Sequence, residues 1–407
     1  MIRFSLRHSQ QKAIFAFSVT LTYLLVIFYL NFLQGPSWRD EAEFWSSSLV
    51  FSNQLIPSLT DLKTYGSLNT PLPFIIFGFL EYLFGGDIVV GRLLNLLLSL
   101  GIIAAIGWPS SQKRGRALLC MFGLFCCPYY LWLSGRLYTE MIACVWVVIG
   151  LATYLRNRHL LASAAFVLAI ASRQFMVIFP AAIATYEFLS VSQAYWQTRR
   201  TNWQIQVRWL LPLAASLSLL AWFTLFQGMA PASATVEKAP EVQKSLEASH
   251  LGIAVNHLFF VGSYIVVPEL ILFPSQAPLK ALKENWQKWL IIAVALLIFC
   301  LLFPPPTKGQ GIVNDFRRLL PNDALQLGLI YLMALFACIR FTKPDLMFWI
   351  VAFHVIVMTK SLPWERYILP LAVAFWYLKS VFPNLVRPSL LSQAHKAKFA
   401  QHPMKIN

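Results

Sequence analysis

The chain has 407 residues, 58% of them hydrophobic and 12% charged, with a mean hydropathy of +0.61. This excludes a soluble globule, because apolar runs near the ~20 residues that cross a bilayer core recur along the sequence. The net charge of +16, from 33 Lys+Arg against 17 Asp+Glu, does not point to nucleic acid, since the basic residues sit in short connections where membrane topology asks for them.

The first apolar run, residues 13–33, is too long for a signal-peptide core and lacks a small-x-small cleavage site, so it reads as an uncleaved anchor. Directly after it comes Trp38-Arg39-Asp40-Glu41-Ala42-Glu43-Phe44-Trp45, the densest acidic cluster in the chain. A carboxylate pair held at a membrane surface between tryptophans is suited to taking a proton from a hydroxyl. The same stretch also reads as an amphipathic interfacial helix with a solvated polar face.

The remaining apolar runs give twelve expected spans: about 13–33, 88–108, 117–134, 141–155, 160–172, 175–190, 209–227, 254–273, 289–304, 324–341, 345–360 and 367–383. Backbone hydrogen bonding in lipid makes helices the spanning element. A further apolar segment at 71–84 is short and opens with Pro71-Leu72-Pro73, so it is expected to be a re-entrant or interfacial helix. With the N-terminus inside, most Lys and Arg then fall on inner segments, including Lys113-Arg114-Gly115-Arg116, Arg156-Asn157-Arg158, Arg199-Arg200 and the tail, while most acids fall outside. Letting 71–84 span would reverse every later loop against the positive-inside tendency. The expected organisation is therefore a membrane domain over 1–383, with an outer acidic loop of short interfacial helices at 34–87, and a basic cytoplasmic tail at 384–407. Residues 230–250 are polar and Ala-rich, and two outer loops, roughly 228–253 and 305–323, carry Lys238, Lys244, Lys308, Arg317 and Arg318. The six cysteines (Cys120, Cys126, Cys127, Cys144, Cys300 and Cys338) lie in or beside spans without metal-ligand spacing and read as small core residues.

This topology gathers polar residues at one membrane face. Arg136, Tyr138 and Glu140 fall in a turn between spans, Arg173-Gln174 at a hairpin tip, and Pro363-Trp364-Glu365-Arg366-Tyr367 before the last span. Arg173 sits among apolar residues and needs an anionic partner. A phosphate is a good one, because guanidinium meets phosphate oxygens through two donors; a phospholipid headgroup would serve as well. Arg366, at a helix start, invites the same reading, with a local ion pair as the alternative. Glu140 is either a second carboxylate of a pocket or the i+4 partner of Arg136. Arg92 and Asn95 are expected to bond to other helices or to the outer loop, and His257, Glu269 and His354 to be satisfied between helices without a catalytic role.

The layout resembles the GT-C superfamily of integral-membrane glycosyltransferases. The residues that carry the resemblance are Asp40-Glu41 after the first span, Asn69-Thr70-Pro71-Leu72-Pro73-Phe74, Gly85-Gly86-Asp87, Arg92-Leu93-Leu94, Ser134-Gly135-Arg136-Leu137-Tyr138-Thr139-Glu140 and Glu365-Arg366-Tyr367-Ile368-Leu369-Pro370. It covers roughly residues 1–190 and 360–383; the middle matches only in hydropathy. Within the superfamily the chain is similar to protein O-mannosyltransferase-like and aminoarabinose-transferase-like enzymes. Local echoes of the dolichyl-phosphate-glucose glucosyltransferase lie in Arg92-Leu93-Leu94-Asn95, Tyr138-Thr139-Glu140 and Arg173-Gln174. That glucosyltransferase usually has Asp where Glu140 stands.

The resemblance implies an all-α bundle and an inverting transfer from a polyprenyl-phosphate-sugar donor to a glycan, lipid or protein hydroxyl at the periplasmic or luminal face. Asp40 would be the base with Glu41 beside it and Glu140 in support. Arg173 and Arg366 would hold the donor phosphate, and Trp38, Arg92, Asn95, Arg136, Tyr138, Gln174, Glu365 and Tyr367 would support the substrates. Trp38, Phe44, Trp45, Tyr65 and Trp364 would offer aromatic faces to sugars, or serve as the interfacial anchors that aromatics at that depth generally are. No metal or other cofactor is called for, and a bacterial plasma membrane with both termini cytoplasmic is the expected location. The alternatives are a transporter or flippase of lipid-linked sugars, against which no half-to-half repeat is seen, and a non-catalytic assembly subunit.

Overall fold

The computed structural model describes residues 8–110, 115–198, 203–238, 250–274 and 286–382. The tail at 384–407, the pairs Lys113-Arg114 and Arg199-Arg200, and Lys244 lie outside the described residues, as does most of 230–250. Among the described residues every regular element is helical, and the sole bridge is an isolated one between Gln310 and Trp364.

The first helix, α1 (His8–Tyr29), ends in three consecutive left-handed residues, Asn31, Phe32 and Leu33. The acidic loop follows as α2 (Arg39–Leu49), α3 (Leu59–Thr64) and α4 (Leu72–Phe84), and then α5 (Asp87–Gly107). The bent pair α6 (Arg116–Phe125) and α7 (Pro128–Ser134) turns by 77° at Cys126-Cys127, where Pro128 removes a donor at a helix start. Next come α8 (Glu140–Leu155), α9 (His159–Ser172), α10 (Ile178–Thr198) behind a 3₁₀ turn at Gln174–Val177, α11 (Trp203–Phe226) and the short α12 (Ala232–Lys238). Helix α13 (Leu251–Val261) runs through a π segment, Gly262–Val266, into α14 (Val267–Leu272). The last elements are α15 (Trp286–Leu302), α16 (Ile312–Arg318), α17 (Asp323–Arg340), α18 (Leu346–Met358), a 3₁₀ turn at Glu365–Ile368 and α19 (Leu369–Val381).

Each of the twelve expected spans is helical. Among the described residues, six helices are individually long and apolar enough to cross a bilayer, and seven if the bent α6–α7 pair counts as one. The other five are shorter, from α8 to α19. The segment at 71–84 is helix α4, with Pro71 before it and Gly85 in the left-handed conformation closing it. It lies against α2, where Gly78 approaches so closely that a Cβ would come within 2.5 Å of the Ser48 carbonyl oxygen. The hub is α19, buried along nearly its whole length and packed on α5, α6 and α8. Its Trp376 lies across Gly123 of α6, where a Cβ would fall 2.4 Å from the indole.

Glu269 is satisfied between helices, through ion pairs. Its carboxylate receives Arg340 Nε at 2.6 Å and Lys379 Nζ at 2.5 Å, joining the first turn of α14 to the last turns of α17 and α19 in a largely buried ion triad. His257 and His354 meet ring to ring at 5.2 Å, and His257 also contacts the Ser361 hydroxyl at 3.1 Å.

Candidate active site

Asp40 and Glu41 sit in the first turn of α2, where carboxylates favour the positive end of the helix dipole. Successive helical residues point about 100° apart, so the two acids face different surroundings. Glu41 points inward and is fully buried. Its Oε1 accepts from Arg92 Nε at 2.7 Å and from the Leu137 backbone N–H at 2.8 Å. Its Oε2 accepts from Arg92 Nη2 at 3.0 Å, Arg136 Nη1 at 3.3 Å and the Trp38 N–H at 3.3 Å. Arg92 also donates from Nη1 to the carbonyls of Leu33 and Gly35, both at 2.7 Å. One turn along, Asn95 donates to the carbonyls of Arg136 and Tyr138. These four side chains weld the end of the first helix, the acidic loop, α5 and the turn before α8 into one block. The left-handed run at 31–33 costs about 1–2 kcal/mol per residue, and Arg92 is among the contacts that hold it.

Asp40 turns to the other side, into a cavity of about 1750 Å³. Its Oδ2 meets Arg366 Nη1 at 2.5 Å across 326 residues of sequence. Arg366 Nε lies 3.8 Å from Glu140 Oε1, and the same Glu140 oxygen is paired with Arg173 Nη1. Arg173 also donates to the Thr139 hydroxyl at 3.0 Å. The four charges form a row, Asp40–Arg366–Glu140–Arg173, in which a fully buried Glu140 stands between the two guanidiniums. Asp40, Arg366 and Arg173 line the cavity. Each arginine retains a buried Nε without a hydrogen-bond partner, a costly state for a donor. Arg136 does not pair with Glu140. It is held by Glu41 and lies between the rings of Trp38 and Trp132, at 5.1 and 5.2 Å.

Aromatic rings fix the two arginines. Arg366 lies over Trp364 at 4.5 Å and near Tyr138 and Tyr367, both at 5.6 Å. Arg173 lies between Phe175 at 5.0 Å and Tyr367 at 5.6 Å. Gln174 donates to the carbonyls of Leu68 at 2.6 Å and Met229 at 3.3 Å, tying two loops to the cavity rim. Tyr65 is fully buried among Phe51, Phe74 and Phe226, and its hydroxyl donates to Asn69, so it packs the loop and has no face for a sugar.

No family model matches the chain, and no curated protein matches it. Among solved structures it is similar to ArnT from Cupriavidus metallidurans bound to undecaprenyl phosphate, over 96% of this chain and 80% of that one, at 14% identity and a TM-score of 0.43. The roles of the residues here rest on their own contacts.

Sequence reasoning missed Tyr129 and Tyr264. Both hydroxyls reach the buried Glu365 carboxylate, which also accepts the backbone N–H groups of Val313 and Asn314 at 3.1 and 2.5 Å. Burial pushes the Glu365 carboxyl up from its usual range, against these hydrogen bonds. Both tyrosines lie in apolar helical runs, and nothing in a hydropathy pattern separates them from core aromatics.

Proposed function

We propose that the protein transfers a sugar from a polyprenyl-phosphate-sugar donor to an acceptor hydroxyl at the outer face of the membrane, with inversion. The observation that carries this reading is the charge row, Asp40–Arg366–Glu140–Arg173, of which Asp40, Arg366 and Arg173 line a large cavity at one end of a many-helix membrane bundle.

Inverting transfer needs one carboxylate opposite the leaving group. Asp40 is the partly exposed acid of the row and takes the hydroxyl proton as the acceptor oxygen attacks the anomeric carbon. The bond from that carbon to the donor phosphate oxygen breaks, and the phosphate leaves with the electron pair. Fixed positive charge stabilises that departure, and Arg173 and Arg366 supply it. Glu140 holds the two guanidiniums apart and oriented. Glu41, with both oxygens spent on Arg92, Arg136 and two backbone N–H groups, acts as a positioning residue for the turn of α2 that bears Asp40. The charge handling needs no metal ion, and chelation of divalent cations is expected to leave the transfer rate unchanged.

A transporter of lipid-linked sugars would place its polar groups near the midplane, between corresponding halves. The row found here sits at helix ends, which favours chemistry at a surface. The deciding experiment is Asp40→Asn in reconstituted membranes with a labelled polyprenyl-phosphate sugar. A loss of about 10²–10⁴-fold in transfer is expected, with donor binding retained; full activity removes Asp40 as the base.

A further inference from the structure

Residues 303–322 connect α15 to α17 and carry α16. The geometry points to residues 310–315 as the acceptor wall of the cavity, a strap that Glu365 holds in place and that presents a hydroxyl-rich ligand, a saccharide, to Asp40. The inference rests on the transferase reading and adds the acceptor side to it.

Four observations carry it. Glu365 is the residue before Arg366, and its carboxylate gathers donors from α7, from the π segment and from the first turn of α16. The strap is also fixed through its backbone. Gln310 N–H donates to Pro363 at 3.4 Å, the Glu365 N–H donates to Gln310 at 3.3 Å, and the Ile312 N–H donates to the Tyr129 hydroxyl at 3.1 Å. The approach is so close that Gly311, with φ of +133°, has no room for a side chain: a Cβ would lie 2.3 Å from the Glu365 carboxyl carbon and 2.4 Å from the Tyr129 oxygen. Finally, Tyr264 reaches Glu365 from a π segment inside an otherwise α-helical run, a local departure from helix geometry that recurs at functional sites.

What the strap shows to the cavity has a chemistry. Gln310, Asp315 and the neighbouring Trp364 all line it. An amide donates to and accepts from hydroxyls, a carboxylate accepts from them, and an indole face packs against the C–H face of a sugar ring. Because Glu365 and Arg366 are consecutive, the strap is anchored directly beside the arginine paired with Asp40. Glu365 and Tyr264 are positioning residues in this scheme, and Asp315 touches the acceptor.

The test uses the full chain in lipid nanodiscs, with polyprenyl phosphate as the donor-site probe. A membrane extract of the producing cells, separated into lipid and protein fractions, supplies the acceptor. Asp315→Asn is expected to bind polyprenyl phosphate within about twofold of wild type and to need at least tenfold more lipid-fraction saccharide for half-maximal transfer, with the rate at saturation little changed. Glu365→Gln should raise the saccharide requirement as well and, through Arg366, also lower the rate at saturation. Tyr264→Phe is expected to shift the saccharide requirement in the same direction by less. An unchanged saccharide requirement in Asp315→Asn, or an equal weakening of polyprenyl phosphate binding, overturns the strap as acceptor wall. Transfer to the protein fraction alone overturns the saccharide class. A wild-type protein that neither binds polyprenyl phosphate nor transfers removes the transferase reading itself, a result distinct from the other two.

Discussion

At the scale of single residues, the division of labour between Asp40 and Glu41 turns on burial. Two adjacent carboxylates of nearly equal chemistry part company because one faces the protein and the other a cavity. Removing a buried partner leaves an uncompensated charge, which costs about 3–5 kcal/mol. Glu41→Ala strands Arg92 and Arg136, so it is expected to lower the thermal unfolding midpoint in detergent by several degrees or prevent accumulation. Asp40→Asn, at a site that is about one-third exposed on its side chain, is expected to melt near wild type while losing transfer. Equal melting losses in the two would argue against this division. For Arg173, a charge-assisted hydrogen bond to an anion is worth about 1.5–3 kcal/mol. Arg173→Ala should therefore weaken polyprenyl phosphate binding by roughly 10–100-fold, whereas the exposed Arg158→Ala should leave it unchanged. Equal affinities in the two variants would remove Arg173 from the phosphate site.

At the scale of elements, the site depends on helices that bring their ends together. Helix α2 presents Asp40 because α4 supports it from below, with Gly78 in contact with Ser48 and Phe51. Gly78→Val puts added methyl groups where the backbone of α2 already is, and overpacking of that kind costs about 1–3 kcal/mol. Its expected signature is a lowered melting temperature together with reduced transfer, because the shift displaces Asp40 from Arg366; an unchanged rate would show that α4 does not position α2. At the opposite end of α19 from Arg366, the Glu269–Arg340–Lys379 triad pins that hub helix to α14 and α17. The two ends of one buried helix are thus held by ion pairs, and the site end contributes the arginine of the charge row.

At the scale of the whole molecule, the reading requires all site loops to face one side of the membrane. A cysteine at Asn53, in the exposed loop after α2, and one at Arg158, in the exposed turn after α8, report on opposite faces. Asn53→Cys is expected to react with an impermeant thiol reagent on intact cells, and Arg158→Cys only after the membrane is opened. The reverse pattern would turn the protein over and place the cavity on the cytoplasmic side, against the basic inner loops.

Hydropathy and charge, read along the chain, determined by themselves that this is a many-helix membrane protein, where its helices run, and that Asp40, Glu140, Arg173 and Arg366 belong to one end of it. Those features are legible because lipid solvation acts on each span independently and leaves its mark on consecutive residues. Only the tertiary structure decided which acid of the Asp40-Glu41 pair faces the cavity, that Arg136 serves Glu41 and not Glu140, that Glu269 is tripled with Arg340 and Lys379, and that Glu365 is spent on a strap reached by Tyr129 and Tyr264. Each of these is a choice of partner between elements tens to hundreds of residues apart. Such choices are set by the rotation and packing of whole helices against one another, which no local pattern records.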